Sequence, residues 1–167
     1  MHSRYNYKWT HPVHEVLSYS LEKENVHQEY PRPQFVRDSF FSLNGVWEYA
    51  INQNTEVENY DGEIVVPFSP EANLSGVNRI VTPDDYLHYR KVFQIPNGFK
   101  KDRVILHFGA VDQECIVYLN GSKLGEHLGG YLAFQFDMRQ WLKRHNFDIL
   151  GVPQYTKSKL IIENLDR

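Results

Sequence analysis

The sequence predicts an all-β fold: a jelly-roll β-sandwich with one short helix and an extended N-terminal arm. Three observations carry that expectation. From Leu43 onward, apolar residues recur with period two in short runs divided by turn residues, which is the patterning of half-buried strands. Asn120-Gly121 sits between two such runs, and both residues tolerate the positive φ that a type I′ hairpin turn requires. Aromatic side chains make up 14% of the 167 residues, and such rings suit a pleated surface. That length fits one domain, and no stretch repeats at a fixed period, so a solenoid is not expected.

The elements follow in order. Residues 1–42 read as the arm: Tyr5 to Glu29 is polar with scattered apolar residues, and Tyr30-Pro31-Arg32-Pro33 is extended. The domain proper is expected over residues 43–167. Gly45 to Ile51 alternates Trp47, Tyr49 and Ile51 against Val46, Glu48 and Ala50, and Glu63 to Val66 is a short apolar run stopped by Pro67. Tyr86 to Ile95 sets Leu87, Tyr89, Phe93 and Ile95 on one face and Tyr86, His88, Arg90 and Gln94 on the other, with Lys91 interrupting the apolar face. Val104, Leu106 and Phe108 share a face, as do Cys115 and Val117. The Asn-Gly turn should pair Leu119 with Ser122, Val117 with Leu124 and Cys115 with Glu126. Tyr131 to Phe136 alternates with Leu132, Phe134 and Phe136 together. Asp137 can cap a short helix over Met138 to Arg144. A loop containing Gly151 and Pro153 then leads to a last strand, Lys159 to Leu165.

Composition excludes several function classes. A net charge of −3 with mixed signs leaves no footprint for a polyanion, so no nucleic-acid partner is expected. No run of eighteen apolar residues occurs, and Met1 to Leu17 lacks the apolar run of a secretory signal. No membrane association and a cytoplasmic location are therefore expected, and the Asn73 and Asn120 sequons carry little meaning. The lone Cys115 lies in an apolar strand pattern and reads as a core residue, not a nucleophile.

The search for chemistry finds little. Glycoside hydrolysis needs two carboxyl groups roughly 5–9.5 Å apart. Glu71, Asp84, Asp85, Glu114 and Glu126 form no pair that spacing alone identifies. Asp84-Asp85 reads as a polar turn, and Glu114 and Glu126 as solvated strand positions. His11, His14 and Glu15 hint at a metal site, but Pro12 opposes a regular helix there and no further ligand follows at metal-site spacing. Ser75-Gly76 lacks a nucleophile-elbow context, and Gly129-Gly130 suits a bend better than a phosphate cradle. No catalytic residue, metal or cofactor is expected.

Several segments nevertheless resemble family 2 glycoside hydrolases of the β-galactosidase and β-glucuronidase type. They are Tyr30-Pro31-Arg32-Pro33-Gln34, Leu43-Asn44-Gly45-Val46-Trp47, the run from Val66 to Val77 and Tyr89-Arg90-Lys91-Val92-Phe93. Most specific is Leu106 to Asp137, with its Asn-Gly hairpin, Gly-Gly-Tyr turn and strand ending in Asp. The resemblance implies a galactose-binding-domain-like jelly roll, the non-catalytic N-terminal domain of an enzyme that cleaves β-O-glycosidic bonds. The catalytic glutamates of such enzymes lie in a downstream barrel absent from this sequence. The partners implied are carbohydrate, through the parent enzyme, and the missing downstream domains. Asn78 and Asp84, in the loop from Ser75 to Asp85, are the candidate substrate-binding residues. Asn146 to Ser158 matches nothing in the family and reads as a local insertion. Family domains also continue past the strand matching Lys159 to Leu165. An open sheet edge beside Leu160 and Ile162 is therefore expected, and with it a homodimer joined along that edge. The alternatives are a free-standing carbohydrate-binding module and a structural interaction domain.

Overall fold

The computed structural model describes residues 23, 26–30, 34, 39–97, 99, 103–139, 146–153 and 160–164, the last two stretches by their backbone. Ten strands are present among them: β1 (Phe40–Ser42), β2 (Gly45–Asn52), β3 (Gly62–Val66), β4 (Tyr86–Gln94), β5 (Val104–Phe108), β6 (Glu114–Leu119), β7 (Ser122–Leu128), β8 (Phe134–Asp137), β9 (Asn146–Pro153) and β10 (Leu160–Asn164). They form two sheets, one of four strands in the order β1-β10-β5-β8 and one of six in the order β3-β2-β4-β9-β6-β7. All pairings are antiparallel. This is the all-β sandwich that the alternating runs predict.

The core forms where the alternating faces meet. Trp47 and Ile51 of β2, Leu87, Tyr89 and Phe93 of β4, and Cys115, Val117 and Leu119 of β6 join Val104, Leu106 and Phe108 of β5 in one cluster. Burying a large apolar side chain of this kind contributes about 1.5–3 kcal/mol. Lys91, the charge that interrupts the inward face of β4, sends its ammonium to the carbonyl oxygen of Val46 at 2.6 Å. Its stem thereby stays against the sheet while its charge finds an acceptor. Met138, just past β8, is fully buried and donates its N–H to Val104 O at 2.9 Å.

The structure departs from the sequence reading in five places. First, Asn146 to Pro153 is a strand, placed between β4 and β6 in the larger sheet, not a loop or an insertion. Gly151 and Pro153 suggested a break. Gly151 stands opposite both Tyr89 and Val117, whereas Pro153 ends the strand where the β4 ladder has already stopped. Proline is tolerated at such a terminus.

Second, β10 lies between β1 and β5, so the expected open edge beside Leu160 and Ile162 does not exist. Phe41 pairs with Ile162 on one side and Leu106 with Ile162 on the other. The covering strand comes from the last residues of the stretch read as an arm, and the basis for a homodimer along that edge is gone.

Third, the hairpin register holds for Leu119 opposite Ser122 and then shifts at a bulge, so that Val117 faces Gly125 and Cys115 faces His127. A Cβ at Gly125 would fall 2.1 Å from the ring of Phe136, so the bulge presents the residue whose bare backbone that ring needs. Fourth, β8 begins at Phe134, and Tyr131 and Leu132 precede it as exposed residues. Fifth, His88, assigned to a polar face, is only 1% exposed. The expected helix falls largely on residues 140–145, outside the described residues, but Asp137 Oδ1 does accept the Arg139 N–H at 3.0 Å, a capping contact.

Candidate functional site

The strand registers bring several loops to one rim of the larger sheet. The end of β2 meets the start of β4 (Asn52 opposite Tyr86), β4 near its start meets the end of β9 (Tyr89 opposite Gly151), and the end of β9 meets the start of β6 (Pro153 opposite Cys115). The end of β7 follows, with Leu128 opposite Glu114. The β2–β3 loop, the segment entering β4 and the β7–β8 loop therefore share this rim.

At its β2–β4 end lies a cleft of about 730 Å³, lined by residues 52–56 with Glu58, Asn59 and Tyr86. Its walls are amides, a hydroxyl, carboxylates and one phenol ring. The loop is held from beneath. Asn54 N–H donates to Asn52 Oδ1 at 2.8 Å, and the buried His88 Nε2 lies 3.0 Å from Asn54 O and 3.3 Å from Asn52 Oδ1. Both neighbours are acceptors toward the ring, so Nε2 carries the hydrogen and the neutral imidazole donates. Burial pushes the His88 pKa below its ordinary value, outweighing the Asn54 carbonyl and the Asp61 carboxylate, which act the other way. Asp61 Oδ2 accepts the Ile51 N–H at 2.9 Å and Arg79 Nη1 donates to Ile51 O at 3.3 Å, fixing the base of the loop from both sides.

The sequence-predicted residues Asn78 and Asp84 lie close by in the chain, in the segment that runs into Tyr86. Both are exposed, and neither lines the cleft. Asn78 adopts φ +54°, which an asparagine tolerates better than most residues. The segment is held by their neighbours. Asp85 Oδ2 accepts the Thr82 N–H at 2.9 Å and the Thr82 hydroxyl at 2.8 Å, and these bonds hold its carboxyl below the usual range. Ser75 is buried with its hydroxyl donating to Ala72 O at 2.7 Å, a structural role. Burial raises the Cys115 thiol to about 11, so it stays protonated and unreactive. Among the described residues no three His, Cys, Asp or Glu side chains gather as a metal site. His11, His14 and Glu15 lie outside the described residues.

A family model described as the glycosyl hydrolase 2 galactose-binding domain-like domain matches residues 63–161. The chain belongs to that family. This galactose-binding-like domain is 37% identical over 115 residues to a β-galactosidase of Thermoanaerobacter pseudethanolicus, covering 65% of this chain and 16% of that protein. It is 28% identical over 98 residues to a β-glucuronidase of Streptococcus agalactiae, covering 57% of this chain and again 16% of the relative. Among solved structures, the β-glucuronidase of Bifidobacterium dentium complexed with coumarin-3-O-glucuronide superposes with a TM-score of 0.58 at 25% identity, over 71% of this chain and 21% of that one. The domain thus spans about one sixth of the length of the curated relatives it matches.

The family motifs acquire physical roles in this domain. In Leu43-Asn44-Gly45-Val46-Trp47, the Trp47 indole N–H donates to Leu43 O at 2.8 Å. Asn44 Nδ2 donates to His27 O at 3.0 Å, fastening residues 26–28 to the sheet. Asn120 and Gly121 turn with φ +50° and +75°, as the hairpin requires. Asp137 ends β8 between Arg103 and Arg139, each with Nε 2.9 Å from Oδ2. Burial alone would raise its pKa, but the Arg139 N–H and the two guanidinium groups outweigh it and hold the carboxyl low.

The Gly-Gly-Tyr turn builds the other end of the rim. Gly129 takes φ +116° and donates its N–H to Gln113 O at 2.6 Å, while Gly130 sits against Asp112 so closely that a Cβ would fall 2.1 Å from its Oδ1. On this anchored turn Leu128, Tyr131 and Leu132 stand 78%, 96% and 72% exposed. Sequence reasoning put Leu132 on one strand face with Phe134 and Phe136, whereas it precedes β8 and is exposed, and it overlooked the cleft altogether. The signal available for the cleft was the polar run from Asn52 to Asn59 between two strands.

Proposed function

We propose that this chain is the non-catalytic N-terminal domain of a glycoside hydrolase acting on β-O-glycosidic bonds, and that it works by packing against the enzyme's catalytic part. The family match over residues 63–161 carries the reading. The rim supports it. A general acid for glycoside cleavage needs a partly apolar, enclosed setting that keeps it protonated. The two carboxylates of the cleft, Glu56 and Glu58, are both exposed on a loop. Three large apolar side chains displayed on an anchored turn suit contact with another protein surface. In this reading Leu128, Tyr131 and Leu132 meet the catalytic part, and the segment from Ser75 to Asp85 offers Asn78 and Asp84 toward its substrate.

The test is complementation. A family 2 hydrolase deprived of its own N-terminal domain should regain activity when mixed with this chain, and Leu132→Ser should weaken that rescue. Failure of any rescue by a chain shown to be folded would refute the reading. A free-standing carbohydrate-binding module is the second reading, favoured by the polar cleft, and it requires sugar binding without rescue.

A further inference from the structure

We infer that the cleft formed by residues 52–59 and Tyr86 is a carbohydrate-binding site that takes neutral hexose units in preference to uronic acids. The inference takes carbohydrate as the ligand class from the function proposed above. Its location and its charge preference come from the cleft itself.

A volume of about 730 Å³ lies within the range of ligand-binding clefts, but such clefts are ordinarily lined mostly by apolar groups. This lining suits a ligand that is itself polar over its whole surface. A sugar hydroxyl both donates and accepts, and side-chain amides and carboxylates can engage neighbouring hydroxyls in pairs. Asn59, Gln53 and Thr55 supply uncharged partners, and Glu56 and Glu58 supply charged acceptors, whose hydrogen bonds are the stronger kind. Tyr86, at the start of β4, adds a ring and a phenol to the wall.

The site is also preorganised. Asn52 and Asn54 are tied to each other and to the buried His88, so the base of the loop carrying the lining is set before binding. His88 is a positioning residue. Arg79, bonded to the Ile51 carbonyl, and Arg90, paired with Glu48 at 2.6 Å, do not line the cleft. The charged side chains in the lining are Glu56 and Glu58, and a uronate carboxylate would meet like charge there.

The experiment is a titration of the isotope-labelled chain with lactose, galactose and glucuronic acid, followed through its backbone amide resonances. Lactose and galactose should give saturable shifts confined to residues 52–59 and Tyr86, with glucuronic acid about fivefold weaker at low salt. Added salt or the pair Glu56→Gln and Glu58→Gln should narrow that gap. Tyr86→Ala or, should that variant fail to fold, Asn59→Ala at the exposed tip should weaken lactose binding about tenfold. Shifts centred on residues 75–85 or 128–132, equal affinity for glucuronic acid, or no saturable shift at all would each overturn the inference. Its failure is separable from failure of the proposed function. Complementation with no sugar shifts removes only this site, and sugar shifts without complementation remove only the hydrolase-domain reading.

Discussion

The two ends of the rim solve the same problem with opposite chemistry. At the β2–β4 end, a polar loop is held up by a buried imidazole beneath it, and its exposed face is amide and carboxylate. At the β7–β8 end, an apolar turn is held down by glycines, one against Asp112 and one bonded to Gln113, and its exposed face is leucine and tyrosine. Each loop separates a root, where stability resides, from a tip that is free of structural duty. A polar tip needs no cover beyond water, whereas three apolar side chains in water are an unfavourable display unless a partner covers them. The difference suggests a division of labour, with one end meeting a small hydrated ligand and the other meeting protein.

The roots should give the largest effects. Gly130→Val places atoms within van der Waals overlap of Asp112 Oδ1, Cγ and Cβ together, so the carboxylate cannot simply swing aside. A loss of about 3 kcal/mol is expected in urea unfolding. His88→Ala deletes the donor that satisfies Asn54 O and Asn52 Oδ1, and about 2 kcal/mol should be lost, with the damage confined by amide exchange to the polar loop. A loss in Gly130→Val of under half a kcal/mol would mean that the apolar turn is not anchored as described.

Acidification separates the roots further. His88 binds a proton less readily in the folded chain than in the unfolded one, because burial lowers its pKa. The unfolded state therefore takes up the extra proton, and the His88 contribution to stability should decline as pH falls below about 6.5. His88→Gln keeps an N–H donor and should abolish that part of the slope. An unchanged slope in the variant would assign it to other groups.

The tips should give the smallest effects on the isolated chain. Leu132→Ser, Tyr131→Ser and Asn59→Ala should each change stability by less than about 0.5 kcal/mol. The two ends should then part company: the first two variants should weaken complementation and leave sugar titration intact, and Asn59→Ala should do the reverse.

Much of this arrangement was legible in the sequence. Strands with one buried face announce themselves by alternation, and β2, β4, β5 and β6 were found that way. Asn120-Gly121 marked its turn because few residues accept positive φ. The failures share a cause, in that each depended on a neighbour remote in sequence. β9 carries a glycine and a proline, which looked like punctuation, and only its ladders to β4 and β6, both remote in sequence, place it in the sheet. The bulge at Gly125 answers to Phe136, and the burial of His88 to a loop more than thirty residues earlier. Strand β1 has three residues, too few for any period to show. Of the site, Asn78 and Asp84 came from resemblance alone. The cleft beside them was hidden because amides and hydroxyls in a loop look alike whether or not they converge.

The claim on which the rest depends is that this rim contacts sugar and protein without performing hydrolysis. Steady-state assay of the pure chain with nitrophenyl β-galactoside and β-glucuronide tests it most directly. No release of nitrophenol above the blank is predicted, at any pH between 5 and 8 and with or without substitutions at the rim. Turnover that persists through purification and disappears in Glu56→Gln or Glu58→Gln would contradict the account, because it would make the exposed carboxylates of the cleft an active site.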